Sequence, residues 1–168
     1  KAKDLSLKTT EKERLAIEAL YASEIEKDEE KYFRLLQLRA EKFPRDKGPR
    51  HSLGLQYYVK RAYDKAIAEF TKVLELDPNF GLAHNVLGFA YLDMGDFSKA
   101  VEHFKKYVDL NPDQANPLDS LAEAFFWMGK MDEAIAGYKK ALVIKPDFYS
   151  PYFAVGYIHA LKEERAEA

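Results

Sequence analysis

The chain of 168 residues contains no cysteine, which excludes a disulfide framework, a thiol nucleophile and a cysteine-ligated metal site. No apolar run approaches the roughly 20 residues needed to span a bilayer. Charge of one sign is also lacking: 26 basic and 28 acidic residues are interspersed, for a formal net charge of −2. That balance gives no bulk attraction to nucleic acid or to a membrane surface. Glycine-rich phosphate loops and serine-nucleophile motifs are missing too. The four histidines, His51, His84, His103 and His159, are scattered, with no His-x-x-x-His pair and no neighbouring ligand cluster to hold a metal. Carboxylates group only in stretches such as Asp28-Glu29-Glu30 and Glu163-Glu164, which read as turns or exposed faces. The sequence therefore predicts no enzyme, no cofactor and no metal site.

What is present is a period. Pro44, Pro78, Pro112 and Pro146 are spaced by 34 residues each time, and Ala66, Ala100, Ala134 and Ala168 keep the same step. A period of this length marks stacked helix-turn-helix units. Superposed, the units align Arg50, Leu53-Gly54, Tyr57, Ala66, Phe70 and Val73 with His84, Leu87-Gly88, Tyr91, Ala100, Phe104 and Tyr107. They align again with Leu118, Leu121-Ala122, Phe125, Ala134, Tyr138 and Ala141, and a fourth unit opens with Tyr152, Val155-Gly156 and His159.

The slots have physical reasons. Gly54, Gly88, Ala122 and Gly156 are small where two helices of a unit approach closely, and Ala66, Ala100 and Ala134 do the same on the second helix. The Leu, Tyr and Phe slots recur at the spacing of an amphipathic stripe facing a core. Pro49, Pro117 and Pro151 fall near helix starts, where a missing N–H costs nothing. Gly95 and Gly129 occupy the inter-helix turn, where a C-terminal cap wants positive φ. Arg61 and Glu163 stand in for that glycine in the other units, so differently built turns are expected there. His84 and His159, in aromatic slots, are expected to be core or semi-buried.

These motifs resemble those of the tetratricopeptide repeat family, most clearly over residues 47–148 and more weakly over 149–168. The resemblance implies an all-α, right-handed superhelical solenoid of antiparallel helix pairs. Residues 47–80, 81–114 and 115–148 would form three full repeats and 149–168 a partial fourth, in one continuous domain. Residues 1–46 fit a divergent repeat or capping pair. Thr10-x-x-Glu13 is a capping box opening a helix to about Lys27, and a second helix runs from about Glu29 to Phe43. Ala19 and Leu20 stand where Leu-Gly is expected, and Tyr32 replaces the small alanine. The first several residues are expected to be disordered. At the other end, Glu164 to Ala168 aligns with the start of a second helix, so the chain reads as an excised portion of a larger protein. Lys162, Glu163, Glu164 and Arg165 suit a polar cap, whereas Ile158 and Leu161 suggest a face awaiting a neighbour. The run from Tyr107 to Leu121 also looks like repeat arrays that bacterial signalling proteins carry beside effector domains.

Carried over slot by slot, the resemblance puts a groove on the first helices of the units. His51, Leu55, Tyr58 and Val59 would line it first. Asn85, Phe89, Leu92 and Asp93 follow, then Asp119, Glu123, Phe126 and Trp127, then Phe153 and Tyr157. This stripe of large apolar residues lies opposite the Leu-Gly-Tyr stripe, and exposed apolar surface suggests binding. The aromatics are hot-spot types and Asp93, Asp119 and Glu123 make an acidic patch. An apolar or aromatic protein or peptide segment carrying Lys or Arg would suit both; alternatively, the aromatics pack between units. The slots that clamp chaperone C-termini elsewhere in the family hold His51, Leu55, Val86, Asn116 and Ser120 here in one frame, or Ile17, Tyr21, Ser52, Leu82 and Val86 in the frame one repeat earlier, neither with the cations needed. Lys105-Lys106 and Lys139-Lys140 read as a solvated outer face. The sequence thus predicts a protein-interaction module, cytoplasmic and monomeric, with end-to-end association as an option. Two other readings stay open: a regulatory array docking a fused effector or a small molecule, and a scaffold stacking through open repeat ends.

Overall fold

The computed structural model describes residues 10–167, with side chains as far as residue 163. The start of the chain, Ala168, and the Glu164 and Arg165 side chains proposed as a cap lie outside the described residues. Nine α-helices and one π-helical turn make up the described chain: α1 Glu11–Tyr21, the π-turn Ala22–Glu26, α2 Glu29–Lys42, α3 Lys47–Val59, α4 Tyr63–Leu76, α5 Gly81–Asp93, α6 Phe97–Leu110, α7 Ala115–Trp127, α8 Met131–Ile144 and α9 Tyr149–Glu167. The chain divides between Pro78 and Asn79 into two compact units.

In the first unit, α1 opens on the predicted capping box: Glu13 N–H donates to the Thr10 hydroxyl at 3.3 Å, and Thr10 N–H donates to the Glu13 carboxylate at 2.8 Å. Ala19 fills the leucine slot and is buried, but Leu20, in the glycine slot, is 62% exposed. On the partner helix α2, Leu36 is buried where the regular repeats put phenylalanine. Asp46 caps α3 by accepting from Gly48 N–H at 3.1 Å, and Lys12 holds its carboxylate at 3.1 Å.

The regular hairpins are built on one close approach. A Cβ on Gly54 would lie 2.7 Å from the Phe70 ring, and one on Gly88 would lie 2.5 Å from the Phe104 ring. Both rings are fully buried, so no side chain but hydrogen fits between the helices at those points. The third hairpin has Ala122 in the glycine slot, and the missing space reappears on the opposite helix, where a Cβ on Gly137 would meet the Ala122 Cβ at 2.8 Å. A second position pair, 19 residues apart, varies in the same coupled way. Arg50 faces Glu69 at 3.1 Å, and His84 faces His103 at 3.0 Å. The third hairpin has Leu118 and Gly137 there, with the Leu118 carbonyl 3.7 Å from a Cβ on Gly137.

The inter-helix turns are more uniform than the sequence suggested. Arg61 adopts φ 56°, the same left-handed region as Gly95 at 78° and Gly129 at 75°. The hydrogen bonds repeat as well: Ala62, Asp96 and Lys130 N–H each donate to the carbonyl of Tyr57, Tyr91 and Phe125 at 2.9 Å. Arg61 therefore accepts the steric cost of a left-handed conformation that glycine avoids, and the expectation of a different turn is corrected. Lys27, one period earlier, has φ 55°.

At Glu163 the opposite correction applies. No turn occurs there, and α9 continues from Tyr149 through Glu167 as one helix. Among the described residues no positive φ and no proline follows Pro151, so the expected start of a second helix at Glu164 is replaced by helix extension. Consequently Gly156 has open space around it and His159 is exposed instead of semi-buried. Ile158 is nevertheless buried, in a cluster with Ala122, Ala134, Ile135 and Tyr138. Lys162 pairs with Asp132 at 2.6 Å, tying α9 to the start of α8.

Candidate functional site

In the first unit, α3 carries His51, Leu55 and Tyr58, all half-buried, and Val59, which is exposed. His51 packs edge-on against Phe70 with ring centroids 5.6 Å apart, and burial together with Lys47 lowers its pKa. Tyr58 lies 5.8 Å from Tyr63. These side chains are partly engaged with their own hairpin.

In the second unit, the first helices α5, α7 and α9 carry the remaining candidates. Phe89 is half-buried and meets Phe104 edge-on at 4.9 Å, Leu92 is buried in the same cluster, and Asp93 is exposed. Asn85 is half-buried, and its side-chain oxygen has no hydrogen-bond partner. The residues that come together are those of α7 and α9. Phe126 lies 5.6 Å from Trp127 and 6.1 Å from Tyr157. Trp127 is 59% exposed, Tyr157 58% and Phe153, one turn earlier on α9, 77%.

These aromatics rim a half-open cavity of about 220 Å³, lined by Glu123, Phe126, Trp127, Tyr138, Ser150, Ala154 and Tyr157. Glu123 and Asp119 stand one turn apart on α7. Burial raises the Asp119 carboxyl to about 6, with a further push from Glu123 and an opposing hydrogen bond from Ser150. One Asp119 oxygen is buried without a hydrogen-bond partner. Burial likewise raises Glu123, aided by the charge of Asp93 and opposed by the hydrogen bond that the Trp127 indole N–H donates to it. At the cavity floor the Tyr138 hydroxyl is pushed well above the usual phenol range by burial and by the two carboxylates, so it is a neutral donor and acceptor at any physiological pH.

Sequence reasoning missed Tyr138, Ser150 and Ala154. A signal existed for Tyr138: its slot holds phenylalanine in the two preceding units, so the hydroxyl is a departure from the pattern. It also missed the imidazole pair. His84 Nδ1 and His103 Nδ1 are 3.0 Å apart, and Tyr91 stacks on His103 at 5.5 Å and 11°, so two histidines read as scattered are neighbours across a hairpin. Burial and the neighbouring His84 hold His103 below its ordinary value. Among the described residues no group of three metal-ligating side chains occurs, and no helix is long and apolar enough to cross a membrane. The four lysines at 105, 106, 139 and 140 are exposed on the second helices.

The paired helices, repeating with close glycine–aromatic approaches and with an aromatic-rimmed face on their first members, define an all-α helical repeat solenoid. A tetratricopeptide repeat profile matches residues 81–114, and a second profile of the same repeat matches residues 54–95 and 122–162. The chain belongs to the tetratricopeptide repeat family, a class of protein–protein interaction module. No protein of curated function matches it in sequence. Among solved structures, MamA from Desulfovibrio magneticus RS-1 is similar, with a TM-score of 0.81 at 20% identity over 95% of this chain and 89% of that one. A thermophilic repeat protein of this family from Thermus thermophilus, TTC0263, gives 0.75 at 20% identity over 94% and 86% of the two chains. The first repeat domain of Spaghetti (RPAP3), solved with the HSP90 peptide SRMEEVD, gives 0.63 at 23% identity over 68% and 90%. At these identities the likeness is one of fold.

Proposed function

We infer that the second unit docks a peptide or partner helix on the first-helix face of α5, α7 and α9, and that the ligand combines apolar or aromatic side chains with a basic residue. The observation that carries this reading is the exposed aromatic group of Trp127, Phe153 and Tyr157 beside the half-buried carboxylates Asp119 and Glu123. Large aromatics left in solvent around a cavity are the composition of a binding hot spot. Two carboxylates held out of water, both raised in pKa by that burial, favour an incoming cation. Asn85, Phe89 and Asp93 extend the face along α5, and in the first unit His51, Leu55 and Tyr58 give α3 an analogous surface. The charge preference is opposite to that of the RPAP3 repeats, whose peptide SRMEEVD carries three acidic residues.

The test uses Trp127, the only tryptophan in the chain, as reporter. Peptides of 8 to 12 residues (about the length that two first helices span) combining aromatic and lysine residues are titrated while indole emission is followed. A saturable shift with a Kd in the micromolar range, about −8 kcal/mol, is expected, weakened in both Phe153→Ala and Glu123→Lys. Peptides that leave the emission unchanged, or bind both variants as tightly as the parent, would refute docking on this face.

A further inference from the structure

The cavity between α7, α8 and α9 is too small for a drug-sized ligand, which takes about 300–1,000 Å³, but suits one long side chain. Its walls are of two kinds. Phe126, Trp127 and Tyr157 are aromatic, and their π-faces attract a cation. Glu123, Tyr138 and Ser150 bring oxygens. Glu123 accepts one hydrogen bond from the Trp127 indole and retains lone pairs. The Ser150 hydroxyl directs its proton to Asp119, which leaves its oxygen free to accept. Tyr138, kept as a neutral phenol, also has an acceptor oxygen.

We propose that this cavity is a socket for one unmodified lysine side chain of the docked partner, its methylenes between Trp127 and Tyr157 and its ammonium on Glu123, Tyr138 and Ser150. The proposal rests on the docking reading above and names the basic residue of that ligand. An ammonium presents three N–H donors, matched one to one by the three oxygen-bearing side chains. A guanidinium presents five donors in a rigid plane and would leave some unpaired inside the walls. A trimethylated ammonium has none, and would leave Glu123 facing methyl groups. The aromatic rim covers the alkyl stem, as long basic side chains bury their methylenes against apolar surface while the head finds polar partners.

The experiment uses the whole chain and n-butylammonium chloride as a stand-in for the lysine side chain, with n-butyltrimethylammonium, n-butylguanidinium and n-pentanol as comparison arms. Backbone amide shifts of Ala154 and Tyr157 and the Trp127 indole N–H signal are followed. A saturable millimolar-range response to n-butylammonium is expected, at least about fivefold tighter than for the other three probes: n-butyltrimethylammonium lacks the donors, n-pentanol lacks the charge, and n-butylguanidinium leaves donors unpaired, each forfeiting at least one charge-assisted hydrogen bond. Glu123→Gln should weaken it about tenfold and Tyr138→Phe about threefold, with the Tyr138→Phe spectrum confirming an intact fold. Equal or tighter binding of n-butyltrimethylammonium, n-butylguanidinium or n-pentanol, or an unaltered response in Glu123→Gln, would overturn the socket. Peptides that dock while n-butylammonium leaves Ala154 unmoved would overturn the socket alone. Saturation by n-butylammonium without any peptide docking would overturn the docking reading alone.

Discussion

Asp119 and Glu123 sit one turn apart on α7, and each is worse solvated in the folded chain than in the unfolded one. For Asp119 the folded value is about 6 against an ordinary 3.8, raised first by burial and then by Glu123. Folding therefore disfavours its ionised form: the penalty is complete above about pH 6, shrinks as pH falls through that value, and is gone below the unfolded value. Asp119→Asn should accordingly raise the unfolding free energy at pH 7.5 by about 1–2 kcal/mol, allowing for solvent screening of a half-exposed group. Urea titrations at several pH values should show that gain fading towards pH 4, and a gain that persists at pH 4 would contradict this account. On the docking reading, that penalty is the cost of holding a charge ready for an incoming cation. The rim aromatics were legible in sequence because they break the polar expectation for an exposed helix face, and the carboxylates because they stand among them on the same stripe. Ser150 was not, since it sits in a helix first turn, where serine is ordinary, and Tyr138 showed only as a hydroxyl in a core slot that holds phenylalanine in the two preceding units.

Among the elements, the close approach of paired helices separates glycines that look alike in sequence. Gly88 and Gly156 occupy the same slot, yet a Cβ on Gly88 would strike the Phe104 ring at 2.5 Å while one on Gly156 meets nothing within 4 Å. Gly88→Ala should destabilise the chain by about 1–3 kcal/mol through overpacking. Gly156→Ala should stabilise it by about 0.5–1 kcal/mol through helix propensity. Thermal unfolding of the two variants checks the contrast, and shifts of the same sign would sink it. The hairpin spans were readable from period and proline placement. Two features were not: that Arg61 takes the left-handed turn of Gly95 and Gly129, and that α9 runs on past Glu163. Both depend on what surrounds the position. The neighbouring hydrogen bond from Ala62 N–H to the Tyr57 carbonyl holds Arg61 in place despite its Cβ, whereas at Glu163, among the described residues, no partner helix favours a turn over one more helical residue.

At the scale of the whole molecule, stability in a repeat array is a sum of hairpin and nearest-neighbour terms, and these fall away along α9. It is anchored by the buried Pro151 and Ile158 and, further along, by the Lys162–Asp132 pair, but its outer face carries Tyr152, Gly156 and His159 in solvent. Native-state hydrogen exchange should show amides of α5 to α8 opening at the highest free energies and those near the end of α9 opening several kcal/mol more easily, about the cost of losing one neighbour interface. Uniform protection across α5 to α9 would contradict it. The 34-residue step announced the architecture as a whole, because proline and alanine recur wherever the array demands them. The chemistry of the cavity was less visible, since it is assembled from α7, α8 and α9, residues up to 34 apart in sequence that no single motif joins.

The coupled pair at 19-residue spacing also bears on how such a chain can change over time. Arg50 with Glu69, His84 with His103 and Leu118 with Gly137 are three solutions to one contact, and they are not interchangeable half by half. A crossover whose junction fell inside a hairpin would set Arg50 opposite a glycine or Leu118 opposite an imidazole, stranding a half-buried charge or crowding a backbone. The heritable cassette is therefore the entire hairpin. Duplications or transplants cut at Pro78, Pro112 and Pro146 carry both members of each pair, and recombinants joined elsewhere would have to reinvent one.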